Sequence, residues 1–339
     1  MEHLPDGFLS FNSSLPNITL LDYGGTILGK GPSAIDNTGY HSAVKDAPNA
    51  LSDAFSLLVD VVNIRYIKYG SFDGKDLNST HHIEISQLVR REVDRRDIAA
   101  VVGVGGTDGP EVGYCLAWTI KTEKPIILFG AGQPTTSIGS EGSRNFISSV
   151  MLAISPDARG REVMVVSGDD IWAARLTYKF SANSFNAFRS QGGVRLGTFV
   201  NFRPLFHSPP GRSGHHVFEI AHLRPKDGLP RVDVLFGHPE FNTQLLQTVI
   251  TSGSKGLILI SFGSGYWPDA AATEMKALLA NTSLPVVLCH DQGSGFVPRS
   301  EAGFGIGAGW LPARAARILL QLAVEFDLRS DEIRDLFRP

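Results

Sequence analysis

The chain has 339 residues, 42% hydrophobic and 19% charged, with a formal net charge of −3. That balance fits a well-cored globular protein, excludes a disordered one, and with no basic stripe argues against a nucleic-acid partner. No apolar run approaches a membrane span, Met1–Asp6 lacks a secretory apolar segment, and the two cysteines, Cys115 and Cys289, cannot build a disulfide framework, so a reducing, cytoplasmic location is expected.

Short apolar runs alternate with amphipathic stretches along the chain. Strands are predicted at 18–21, 61–67, 99–104, 125–129, 163–166, 232–235, 256–260 and 285–288. Helices are predicted between most of them, at 49–58, 83–94, 113–120, 143–154, 241–252, 270–281 and 312–326. This alternation predicts an α/β fold with a parallel, doubly wound sheet and helices on both faces. Between Phe202 and Pro230 the pattern stops in a stretch rich in proline and glycine. The reading is therefore a larger N-terminal domain at 1–204, a linker at 205–231 and a smaller C-terminal α/β domain at 232–339.

Two glycine-rich turns carry the chemistry. Gly24-Gly25-Thr26 follows the first strand, and Gly105-Gly106-Thr107-Asp108-Gly109 follows the third. Glycine lets the chain bend and lets a substrate approach the backbone, and open α/β sheets bind ligands at strand C-terminal ends. A threonine hydroxyl needs a base or a polarised neighbour before it attacks a carbonyl, and a lysine–carboxylate–hydroxyl relay supplies one without histidine. The plainer alternative is that both threonines only cap their own turns. Gly24 to Gly31 approaches a phosphate-binding loop but lacks its final hydroxyl and continues as loop, so nucleotide binding is not expected. The pairs His81-His82 and His215-His216 have the wrong spacing for a metal site, and Cys289 reads as strand packing. No metal or cofactor is called for.

The sequence resembles the L-asparaginase/glutaminase family of the bacterial two-domain type. Ile18 to Ile27 is similar to the first family signature, Val104 to Gly109 to the second, Lys124 to Ala131 to the strand that follows, and Gly303 to Ala323 to the C-terminal helix. The resemblance implies Thr26 as nucleophile beside Gly25, and Thr107, Asp108 and Lys179 as a second triad next to Gly106. It implies an assisting tyrosine on a lid, which is Tyr40 after a one-residue shift from Gly39. It places Ser71 and Asp73 at the charged end of the substrate, and it implies a homo-oligomer, a dimer or tetramer.

Several positions depart from the family pattern. Phe72 replaces a glutamine, Gly109 a threonine and Gly105 a histidine; Tyr266 stands where an asparagine reaches a neighbouring subunit, and Glu301 is the nearest equivalent of a substrate-binding glutamate. Aromatic rings cannot replace groups that bind charge. The expected function is asparaginase-like hydrolysis of a small amide less polar than asparagine. The alternatives are a repurposed scaffold for elimination, isomerisation or cyclisation, and a non-catalytic small-molecule binder.

Overall fold

The computed structural model describes residues 7–36, 38–41, 44–107, 110–182, 184–211, 215–298 and 303–337. The chain divides into two compact units, residues 1–189 with 194–225, and residues 190–193 with 226–339. The first opens with β1 (Asn17–Gly24), α1 (Ala47–Ala50), α2 (Ser52–Ser56), β2 (Asn63–Phe72), α3 (Ser79–Asp94) and β3 (Ala100–Val104). It continues through α4 (Glu111–Thr119), β4 (Ile126–Phe129), α5 (Gly142–Ala153) and β5 (Met164–Ser167). The helix expected at 49–58 is two short ones, broken at Leu51, which leaves helical geometry (φ −117°).

These five strands are parallel, and β1 lies between β2 and β3. β3, β4 and β5 read as continuous apolar runs because both faces are covered, whereas the edge strand β2 is only partly buried. On one face Ile18, Leu20, Val102 and Ile127 meet Phe146 and Val150 of α5. On the other, Leu21, Tyr23 and Val101 meet Ile85 of α3 and Leu116 of α4. The chain goes from β1 to β2 on one side and then to β3 on the other. The order therefore reverses between β1 and β3, which opens a crevice beyond their carboxyl ends. Both threonine turns lie there.

Past β5 the sheet is antiparallel, which corrects the wholly parallel reading. β6 (Asp170–Ala173) returns along β5, β7 (Thr177–Lys179) and β8 (Phe188–Ser190) form a separate ribbon, and β9 (Gly197–Val200) and β10 (Arg203–Phe206) finish the sheet. Two tight hairpins make the reversals. Gly168 (φ 60°) turns the first, while Asn201 and Phe202 turn the second with φ of 50° and 62°. Residues 205–225, read as linker, belong to the first unit: Leu205 and Phe206 pair in β10, and Phe218 and Ile220 are buried. Gln87 of α3 donates to the Ile220 and Leu223 carbonyls at 3.1 and 2.9 Å. Proline and glycine shape this segment without detaching it.

The second unit runs β11 (Val232–Phe236), α6 (Gln244–Thr251), β12 (Gly256–Ser261), α7 (Asp269–Ala280), β13 (Val286–His290), β14 (Ile306–Gly307), α8 (Ala313–Glu325) and α9 (Ser330–Leu336). Its four strands are parallel in sequence order. Leu257, Leu259, Met275 and Leu288 form its core, and Leu319, Leu320 and Leu322 of α8 are buried. Among the described residues no helix is long and apolar enough to cross a membrane.

One polar residue inside β1 organises its end. Asp22 is fully buried and accepts from Gly24 N at 3.0 Å, Ala47 N at 3.0 Å and the Tyr66 hydroxyl at 2.7 Å. Burial pushes its carboxyl above the usual carboxylate range, and those three bonds pull it back. Asp22 thus ties the first glycine turn to α1 and β2. Asp22→Ala leaves buried donors unmet and is expected to lower stability by about 3 kcal/mol, read as a reduced urea midpoint at unchanged m-value.

Candidate active site

Three stretches of backbone converge at the crevice. A side chain on Gly25 (φ 93°) would collide with Gly106 N and the carbonyl carbon of Gly105. One on Gly106 would lie 2.9 Å from Gly74 N. Gly25 N also donates to the Phe72 carbonyl at 2.8 Å, made possible by a register shift between β1 and β2 at Asp22 and Gly24. The two threonine turns and the loop after β2 therefore pack main chain on main chain. Only glycine permits that approach.

Thr26 is buried and starts a single 3₁₀ turn, Thr26–Leu28, without capping it. Its Oγ1 lies 3.1 Å from the Tyr40 hydroxyl. Tyr40 arrives on a loop that leaves at Lys30 and returns at His41, where the two residues exchange backbone bonds of 3.0 and 3.1 Å. Across from it, Gly31 N donates to Thr136 Oγ1 at 2.8 Å and Ile138 N to the Ala34 carbonyl at 2.7 Å.

Thr107 is also buried, and with Tyr23, Leu128, Val165, Thr177 and Phe188 it lines a cavity of about 30 Å³. Thr177 begins β7, and its carbonyl accepts from the Tyr114 hydroxyl. Lys179, half-buried, ends β7 two residues after Thr177. Asp108, Gly109 and Glu301 lie outside the described residues.

The remaining expected residues are more dispersed. Ser71 is exposed, and Asp73 pairs with Lys75 at 2.9 Å. The Phe72 ring packs on His81 of α3 and on Tyr69, with centroids 4.5 and 5.8 Å away. Tyr266 belongs to the second unit, 58% exposed in a turn where it bridges Phe262. Both cysteines are buried and unpaired; burial pushes the Cys115 thiol up to about 11 and Cys289 higher, which disfavours either as a thiolate nucleophile. Among the described residues no group of three or more His, Cys, Asp or Glu side chains could hold a metal ion.

Sequence reasoning missed two residues behind the turns, Asp22 and Tyr23. The signal was present: a buried strand-end acid and a phenol follow directly on the apolar run at 18–21. The Tyr23 ring is buried and covers the space that a side chain on Gly105 would fill, and it also approaches Gly103. Burial, with the Asp22 charge beside it, pushes the Tyr23 phenol far above its usual range. Gly105 is thus half of a volume exchange with Tyr23, beneath the second turn.

A two-unit α/β scaffold with paired threonine turns at its sheet reversal defines the class of protein. Residues 17–210 match the family model described as Asparaginase, N-terminal, and residues 231–337 match the Glutaminase/Asparaginase C-terminal domain. The chain belongs to the asparaginase/glutaminase family. It is 32% identical over 333 residues to Probable L-asparaginase 3 of Schizosaccharomyces pombe, covering 97% of this chain and 91% of that protein. It is 32% identical over 330 residues to L-asparaginase 2-1 of Saccharomyces cerevisiae, covering 96% and 91%. The crystal structure of a probable cytoplasmic L-asparaginase from Campylobacter jejuni is similar, with a TM-score of 0.86 and 27% identity over 95% of this chain and 99% of that one.

The Tyr23–Gly105 exchange is open to test by unfolding. Gly105→Ala is expected to destabilise by about 1–3 kcal/mol through overpacking. Adding Tyr23→Leu should recover part of that loss, giving a double-mutant coupling of about 1 kcal/mol; additive effects would refute the exchange.

Proposed function

We propose that this protein hydrolyses a small amide, with Thr26 as the nucleophile. The observation that carries the reading is the Thr26–Tyr40 hydroxyl pair, 3.1 Å apart, at the reversal between β1 and β3. The Thr26 oxygen attacks the amide carbonyl carbon and gives its proton to the Tyr40 oxygen, whose own proton passes to the amide nitrogen. Backbone N–H groups of the abutting glycine turns steady the oxyanion. The C–N bond breaks, the protonated nitrogen leaves as ammonia, and water hydrolyses the resulting ester to a carboxylate and free Thr26. Thr107, Asp108 and Lys179 serve as the proton relay on the second turn.

The substrate is an amide less polar than asparagine. Phe72 and Gly109 remove two polar side chains from positions that would grip a zwitterion, and the Phe72 ring is already engaged with His81. Each missing bond to a charged end would weaken binding by about 1–3 kcal/mol. A homodimer or homotetramer is part of the same reading: Val234 and Phe236 on the edge strand β11, with Leu245, leave apolar surface exposed on the second unit. Residence in the cytoplasm is consistent with two buried, unpaired cysteines.

Thr26→Ala should reduce turnover to background with an unchanged circular-dichroism spectrum, and Tyr40→Phe should lower kcat by about 10²–10⁴-fold. Full activity in Thr26→Ala would remove the nucleophile assignment. Ammonia release should be slow from asparagine and glutamine and faster from amides with apolar side chains. Robust release from asparagine would overturn the substrate reading while leaving the nucleophile intact.

A further inference from the structure

A second cavity lies at the opposite end of the first unit's sheet, where β4 and β5 begin. It measures about 480 Å³, within the range of small-molecule sites at about 300–1,000 Å³. Its floor is apolar, made by Ala117, Ile120, Ile126 and Val163. Its rim is cationic: Lys121 and Lys124 come from the connection between α4 and β4, Arg159 and Arg161 from the connection between α5 and β5.

Among the described residues no ion pair holds these four cations, although Asp94 and Asp97 act electrostatically on Lys124 and Asp157 on Arg161. Lys124 Nζ donates to the Arg95 carbonyl, a neutral acceptor. Arg161 donates to the Asp157 and Ser208 carbonyls, both at 2.7 Å, and its guanidinium lies 3.5 Å from the Phe206 ring centroid. The side chains of Lys121 and Arg159 have no hydrogen-bond or ion-pair partner among the described residues. Two carboxylates also line the cavity, but Glu162 is taken by Arg175 at 2.8 Å, which leaves Glu123. His215 also lines the cavity with Nε2 3.0 Å from the Ala117 carbonyl, and burial holds its pKa down. Burial, and then the Arg159 charge, lower the Lys124 pKa, with Asp94 and Asp97 acting the other way, so Lys124 and Arg159 repel one another across the shared space.

We propose that this cavity is a binding site for a small organic anion, distinct from the threonine turns at the other end of the sheet. The ligand class is a phosphate or carboxylate head group on a compact apolar body, with the head between Lys121, Lys124 and Arg159 and the body on the Ile120–Ile126 floor. Arginine and lysine on separate connections converge on one head group as they do in phosphate recognition. The volume exceeds what a bare inorganic anion needs, so the floor adds to affinity.

Isothermal titration of the full-length protein with phenyl phosphate, inorganic phosphate and phenol at 0.15 M ionic strength tests this. The expected result is one saturable site per chain for phenyl phosphate, weaker binding of inorganic phosphate and none of phenol. The double variant Lys121→Ser/Arg159→Ser, whose side chains are on the rim and outside the core, should weaken phenyl phosphate by about tenfold or more. Its circular dichroism and amide hydrolysis should match the parent. Absence of saturable phenyl phosphate binding, or binding unchanged in the double variant, would overturn the site. Equal affinity for phenyl and inorganic phosphate would overturn the apolar part of the ligand assignment.

Discussion

Everything at the crevice depends on two strand-end turns touching through bare backbone. Gly25 and Gly106 meet with no room for a Cβ on either, and Gly74 closes in from the third side. Side chains could hold three loops together only by taking up the space where a substrate would bind. Main-chain packing leaves that space to Thr26 and the N–H groups around it. The cost is backbone entropy at several glycines, which the fully buried β1 and β3 beneath them offset.

That contact in turn rests on Asp22. A carboxylate in the middle of a sheet is unfavourable unless its oxygens are satisfied, and here three donors from three elements satisfy it. Burial and bonding pull its pKa in opposite directions, so the residue serves geometry more than charge. It fixes where Gly24 turns, where α1 starts and where β2 passes, and those three placements bring the Phe72 carbonyl to Gly25 N.

Much of this architecture was legible in the chain. The eight predicted strands read as apolar runs because they are parallel and most are covered on both faces, the edge strands β2 and β11 only in part, and the longer helices read through their spacing. The strands β6 to β10 were not legible because they are short and joined by hairpins; only Gly168-Asp169 hinted at a reversal, and Phe202 at positive φ is not a residue that advertises one. The threonine turns were visible from local composition. Tyr40 was found only by shifting an alignment, since a loop has no periodicity to anchor it. Gly105 looked like a lost histidine when read alone, because its counterpart Tyr23 stands more than eighty positions earlier. Pairs of this kind are invisible until the sheet brings β1 beside β3.

The loop that carries Tyr40 has a consequence for timing. It is held by the Lys30–His41 exchange and by its links to Thr136 and Ile138, and among the described residues no backbone hydrogen bond ties it to a strand of the main sheet. Each such bond contributes about 0.5–1.5 kcal/mol, so the loop can part from Thr26 without disturbing β1. On the proposed reading of Thr26 as nucleophile, the Thr26–Tyr40 hydroxyl pair is assembled and separated by a local movement. In that proposed reaction, access to the hydroxyl and readiness of the hydroxyl would be the same event, and its pace would bound turnover.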